Sequence, residues 1–260
     1  MERIEINGGP PTVDLLRYLA LRNFGHFTAM QVRDRKVRGL ALHLERLDAA
    51  NKELFDQGLD GDLVRGHIRH ALADDADASV RVYVFGRDDT GSDLPVPCVL
   101  VSVRPPNEPP RDPMSLWPAP YQRPAAHLKH LGGFGQSYFL REAERAGFDE
   151  ALLVAHDGTV AEGAITNVGF FDGTTVVWPD APMLSGITMM LVERGLAEMG
   201  VPTRRGPVRL ADVPSLRSAF LTNSWGVMSV GRIGDVGMTA DPELMATLHQ
   251  AYDSRPWDRI

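Results

Sequence analysis

Lys129 lies in "AAHLKHLGGFGQ", among small and apolar neighbours and between His127 and His130. A lysine partly withdrawn from water has a lowered pKa, and its free amine forms Schiff bases with aldehydes. The same pattern fits a surface lysine with a buried stem. Glu162 lies in "DGTVAEGAITNVGFFDG" (157–173), where two Asp-Gly turns bracket a short apolar run. A carboxylate there either faces water on an antiparallel strand or is buried against a positive partner such as a protonated ring nitrogen. "LSGIT" (184–188) places a glycine before a helix start, which is an ordinary cap or an anion site. Arg46, in "HLERLDAA", sits at the edge of an apolar helix stripe, where its planar fork suits phosphate or simply meets water.

An amine for an aldehyde, donors for a phosphate and a carboxylate for a ring nitrogen describe one molecule, pyridoxal 5′-phosphate. Lys129 and Glu162 are 33 residues apart, and Glu162 and Thr188 are 26 apart.

The elements that must position these groups are legible in the pattern. "HFTAMQVRDRKVRGL" (26–40) alternates around a polar centre and predicts a hairpin. Leu40, Leu44, Leu47 and Leu54 mark one face of a helix over 40–55, and 62–75 predicts a second helix. Strands are expected at 78–86 and 96–105. The proline-dense stretch 104–124 argues against a helix or a central strand, and its 106–119 part is expected to link two domains. That gives a small α+β domain over 1–105 and a larger domain over 120–260. In the latter, a helix at 135–148 precedes strands at 151–156, around Glu162, and at 174–179. A helix starts near Ile187 or Thr188 and ends at Gly200; 218–235 reads as strand, loop and strand, and 242–254 as a closing helix.

The 260-residue chain carries a formal charge of −7, which argues against a nucleic-acid binder. Its one cysteine, Cys98, lies in an apolar strand and fits a reducing compartment. The start lacks the apolar core of a signal peptide, and no stretch approaches the roughly 18 to 20 apolar residues of a membrane span. A cytoplasmic protein without membrane or nucleic-acid partners is expected. No zinc-like Cys/His spacing, serine-nucleophile elbow or dinucleotide fingerprint is present, so no metal is expected.

Order and spacing resemble the class IV aminotransferases, the fold-type IV pyridoxal-phosphate enzymes. These include branched-chain and D-amino-acid aminotransferases and aminodeoxychorismate lyases. The resemblance runs from about Gly25 to Asp235. It implies a two-lobed fold, with a small α+β lobe and a larger mixed β/α lobe. "GHFTAMQVRDRKVRGLALHLERL" is similar to the family's first hairpin and helix, with Arg46 as its phosphate arginine. "HLKHLGGFGQSYFLREAERAGFDEALLVAHDGTVAEGAITNVGFF" is similar to the lysine segment and the Glu–x–x–x–x–Asn stretch. It implies Lys129 as the Schiff-base lysine and proton carrier, Glu162 as the ring-nitrogen partner, and Asn167 closing the motif. "LSGIT" implies Gly186, Ile187 and Thr188 at the phosphate. "FLTNSWGVMSV" resembles the last phosphate-side loop, with Asn223 and Ser224 near the cofactor.

The pattern departs from the family at Gly132 and Met189, where members often have Asn and Arg, and at Phe134, where branched-chain members have Tyr. Phe27-Thr28 replaces the Phe-Glu usual in aminotransferases, and "KHL" and "TNS" also lean towards lyases. Thr28 and Phe134 are the substrate-side candidates. Arg81, Arg87 and Arg123 are candidates to grip a substrate carboxylate, each more readily read as a solvated surface residue. The leading expectation is a transaminase moving an amino group between an amino acid and a 2-oxo acid. The alternatives are aminodeoxychorismate lyase, which eliminates pyruvate to leave 4-aminobenzoate, and a non-catalytic homologue. The resemblance implies a homodimer.

Overall fold

The computed structural model describes residues 2–88 and 91–260. The chain divides into two units: Met1–Asn107 with Leu128–Gly132 and Pro256–Ile260, and Glu108–His127 with Gly133–Arg255. This differs from the expected division, which put residues 128–132 and 256–260 in the second domain. Backbone hydrogen bonds explain the difference. Phe27 N donates to Lys129 O at 2.8 Å and Leu131 N to Gly25 O at 2.9 Å. Trp257–Arg259 pairs antiparallel with Lys36–Arg38.

The first unit contains β1 (Arg3–Ile6), α1 (Val13–Arg22), β2 (Gly25–Val32), β3 (Lys36–Arg38), α2 (Leu40–Phe55), α3 (Gly61–Leu72), β4 (Ala78–Arg87) and β5 (Val96–Arg104). Four of the strands form an antiparallel sheet in the order β1-β5-β4-β2. The two-residue period sends Met30, Val32, Val80, Val82, Val99 and Val101 into one core with Leu40, Leu47, Val64 and Ile68 of α2 and α3. The opposite face buries Ile6, Phe85, Cys98 and Leu100 against Tyr18 of α1. Burying each such large apolar side chain contributes roughly 1.5–3 kcal/mol. Asp60 caps α3 by accepting from the Asp62 and Leu63 N–H groups.

The second unit contains β6 (Met114–Pro120), α4 (Phe134–Arg145), β7 (Glu150–Val154), β8 (Val160–Gly163), β9 (Asn167–Phe171), β10 (Val176–Pro179), α5 (Ile187–Glu198), β11 (Thr203–Gly206), β12 (Ser218–Asn223), β13 (Gly226–Ile233), β14 (Val236–Gly237) and α6 (Pro242–Asp253). Its mixed sheet runs β11-β10-β9-β12-β13-β6-β7-β8, with β14 on β13. α5 and α6 cover one face, where Met189, Val192, Leu196 and Leu248 pack with Trp178 and Phe220.

β6 is the main departure from the expected linker. It is an interior strand, parallel to both β13 and β7, although it contains Pro118 and Pro120. Parallel ladders direct alternate residues to alternate neighbours. Ser115 O accepts from Asp149 on the β7 side, and Leu116 O accepts from Gly234 at the β13 side. Pro118 and Pro120 share the parity of Leu116, and β13 pairing ends at Ile233 opposite Leu116. Their missing N–H groups therefore face a side where no partner strand continues, so the prolines cost the ladder nothing.

Candidate active site

In the first unit the amine is built on the edge of β2. The two backbone bonds described above fix residues 129–131 against Gly25–Phe27. Lys129 is half-buried, and its Nζ lies 4.8 Å from the centroid of the Phe27 ring, which itself stacks on Tyr83 at 5.4 Å. The aromatic face supports a cation while limiting its hydration.

Thr28 points to the other face of the sheet, towards α2. It is fully buried, and its Oγ1 lies 2.7 Å from His43 Nδ1. His43 is pushed down to about 3, first by burial and then by the Arg46 and Lys129 charges. It stays uncharged, so the cluster holds two cations rather than three. Arg46, one turn along α2, is half-buried, and burial lowers it to about 10, which leaves it charged at neutral pH. His26, bonded to Asn51 at 3.5 Å, is lowered by burial to about 4.

In the second unit β8 is buried throughout, so Glu162 is not on a wet face. Its Oε1 accepts from Arg123 Nη1 at 2.9 Å, and its Oε2 accepts from Leu184 N at 3.2 Å. Both side chains of this ion pair are almost wholly buried. Asn167, at the start of β9, donates from Nδ2 to Leu184 O at 2.7 Å. A Cβ on Gly186 would collide with Asn167 Oδ1, so the glycine is required by close approach.

Gly186 is the N-cap of α5, and no side chain caps this helix. The first turn, with buried Ile187 and Thr188, therefore presents backbone donors and the positive end of the dipole. Thr188 Oγ1 donates to Asn223 O at 2.6 Å, tying α5 to the end of β12. Asn223 Oδ1 accepts from Trp225 N at 2.8 Å and shapes the two-residue hairpin containing Ser224.

The second unit thus brings together Glu162, Asn167, Gly186, Ile187, Thr188, Asn223 and Ser224. The first brings together Thr28, Arg46 and Lys129. Phe134 stands apart: it is the exposed first residue of α4 and stacks on Tyr138 at 6.0 Å. Arg123 is no solvated surface residue and does not reach outwards for a carboxylate, because Glu162 and Ala126 O take its Nη1.

Sequence reasoning passed over Leu184 and His43, and named Arg123 only as a candidate for the substrate carboxylate, not as the partner of Glu162. Arg123 is 39 positions from Glu162 and no local period links them. His43 carried a usable signal: it is a polar residue on the buried stripe of α2, three positions before Arg46.

An amine on an aromatic support, a buried carboxylate paired with a guanidinium, and an uncapped helix start are parts suited to carbonyl chemistry on an anionic ligand. Among the described residues no group of His, Cys, Asp and Glu could hold a metal ion, and no helix is long and apolar enough to cross a membrane.

Comparison with known proteins agrees with this geometry. A probable branched-chain-amino-acid aminotransferase of Rickettsia felis is 28% identical over 85 residues, which is 32% of this chain and 29% of that protein. The fold is that of a hypothetical aminotransferase from Mycobacterium tuberculosis in a PLP-bound form, with a TM-score of 0.83, 22% identity, and coverage of 96% of this chain and 97% of that one. It is equally that of 4-amino-4-deoxychorismate lyase from Pseudomonas aeruginosa, with a TM-score of 0.82, 23% identity, and coverage of 96% and 98%. Residues 25–233 match the family model for amino-transferase class IV, and that span takes in every residue of the two clusters, so the chain belongs to the class IV aminotransferase family.

Proposed function

We propose that this chain is a pyridoxal-phosphate-dependent transaminase, moving an amino group between an amino acid and a 2-oxo acid. The observation that carries the reading is the setting of Lys129, a half-buried amine over the Phe27 ring with its backbone locked to β2. The donor set fits the cofactor. Arg46 and the N–H groups of Ile187 and Thr188, with Asn223 and Ser224, would hold a phosphate. Glu162, paired with Arg123, would hold a proton on the ring nitrogen. When bound, the cofactor supplies an aldehyde that takes up amines and a ring that draws electrons from the substrate's Cα.

The chain's own part is acid–base work and positioning. Lys129 Nζ takes the Cα proton and returns it, which requires the free amine at the moment of transfer. Glu162, fixed by Arg123 and the Leu184 N–H, would present its carboxylate to the ring nitrogen. Phe27 limits water around the amine. Phe134, exposed at the start of α4, remains the substrate-side candidate, whereas Thr28 is fully buried against His43.

Aminodeoxychorismate lyase is the second reading, favoured by Thr28 in place of a glutamate and by the overall similarity to a lyase fold. A homodimer belongs to the proposal; Phe134, Tyr138 and Ile165 leave large apolar surface exposed on the second unit, and light scattering on a sizing column tests it.

The deciding experiment is an absorbance spectrum with added pyridoxal phosphate, repeated with L- and D-amino acids. A visible band that one amino acid bleaches and a 2-oxo acid restores supports the transaminase. A band unresponsive to amino acids that turns aminodeoxychorismate into 4-aminobenzoate supports the lyase. No band with wild type would remove both.

A further inference from the structure

Residues 256–260 follow α6 in the chain and are built into the first unit. β15 (Trp257–Arg259) pairs antiparallel with β3, in the register Trp257–Arg38, Asp258–Val37 and Arg259–Lys36. Arg38 lies over the Trp257 ring at 4.2 Å, and Ile260 packs on the core of the first unit. α3 adds two ties: Arg65 Nη2 donates to Arg259 O at 2.7 Å, and Arg69 Nε to Ile260 O at 3.3 Å. Directly opposed residues share a face of a ladder, so Asp258 lies on the side of buried Val37. An acid on an apolar face needs a partner. Asp258 Oδ2 accepts from Leu40 N at 2.9 Å.

Leu40 is the first residue of α2. The N-cap is Gly39, which has no side chain to serve as a cap, and the first turn carries no acidic residue. Asp258, 218 positions away in the chain, does the work of a capping side chain. It takes one of the helix's unpaired N–H groups and sets a carboxylate at the positive end of the dipole.

We propose that Asp258 is a positioning residue for the phosphate end of the site: by capping α2 from β15, it fixes the turn that leads to Arg46. This rests on the proposed role of Arg46. The path is short. His43 N donates to Gly39 O at 3.2 Å and closes the first turn, while its ring meets Thr28 Oγ1 at 2.7 Å. Arg46 follows Leu40 by six residues. That is about 9 Å along the helix axis. A first turn without its cap frays, and the fraying loosens the backbone that aims Arg46. Lys129 is not on α2; its backbone is held by β2. Losing the cap therefore weakens the grip on a phosphate and spares the amine.

The test uses two aldehydes, pyridoxal phosphate and pyridoxal, which lacks the phosphate. Each is titrated into wild type, Asp258→Val, Asp258→Ala, Asp258→Asn, Arg46→Gln and the double variant D258V/R46Q. The apparent Kd is read by absorbance, with thermal unfolding as the control for folding. D258V suits a strand beside an apolar core but has no acceptor; D258A removes the acceptor by truncation; D258N keeps one. The expected result is that D258V and D258A weaken pyridoxal phosphate about fivefold, the scale of one lost helix cap, and leave pyridoxal almost unchanged. D258N stays near wild type. R46Q loses the same selectivity for the phosphate, and the double variant is no weaker than R46Q. Equal losses for both aldehydes in D258V and D258A would overturn the proposal, because β15 would then only hold the unit together. Wild-type affinities in D258V and D258A beside a selective defect in R46Q would also overturn it while sparing the role of Arg46. An R46Q variant that binds pyridoxal phosphate as wild type does would remove that role itself.

Discussion

Glu162 and Asn167, five positions apart, hold the two ends of one residue's backbone. Glu162 accepts from the Leu184 N–H and Asn167 donates to the Leu184 carbonyl. The carboxylate and the approach to α5 are therefore one mechanical piece. A hairpin spanning β8 and β9 reaches the phosphate-side helix start through a single residue.

Asn167→Ala should leave the buried Leu184 carbonyl without its donor and cost about 1–3 kcal/mol of stability. Denaturant unfolding measures this. The same variant should weaken pyridoxal phosphate binding, because the start of α5 loses its tether. Unchanged affinity alongside lost stability would show that the tether does not serve the cofactor.

Lys129→Ala should abolish the visible band with added pyridoxal phosphate while leaving the unfolding midpoint almost unchanged. The side chain contributes the amine; the pairing with β2 is made by the backbone of residues 129 and 131 and survives the substitution. A retained band would place the amine elsewhere.

These cases show why parts of the site were legible in the sequence. Lys129, Glu162 and Gly186 announce themselves through local setting: an amine among small residues, a carboxylate between turns, a glycine before a helix. The helix over 40–55 was legible from its leucine spacing, and α2 runs Leu40–Phe55. β6 was not legible, because its prolines read as breakers until the parity of the parallel ladder is known. Nor was the Arg123–Glu162 pair, since a long-range ion pair leaves no mark on local period.

Thr28→Val should destabilise the first unit by about 1–3 kcal/mol, because His43 Nδ1 then loses its buried partner. Replacing both with apolar residues, T28V/H43L, should cost less than the sum of the single variants. A thermodynamic cycle from urea unfolding checks the coupling. Strict additivity would mean that the two groups do not share a hydrogen bond.

The pH dependence of stability should have a maximum between about pH 6 and 7, set by three buried groups of opposite sign. Glu150 is raised to about 7 by burial, so the folded state binds its proton more tightly than the unfolded state. Its contribution is fully present below its unfolded value and is lost as pH rises through about 7. His26 and His43 are lowered to about 4 and about 3. The unfolded state binds their protons first, so their contribution is present above the ordinary histidine value and is lost as pH falls from about 6.5 towards those values. Each proton changes stability by about 1.4 kcal/mol per pH unit within its window. On acidification below about 6.5 the two histidines outweigh the one glutamate, and stability should fall. Above that point, of these three groups, only Glu150 acts, and stability should fall as pH rises through about 7. Urea unfolding of wild type and Glu150→Gln across pH 5 to 9 tests the scheme: the variant should lose the alkaline arm and keep the acid one. An alkaline arm unchanged in Glu150→Gln would assign it to another group.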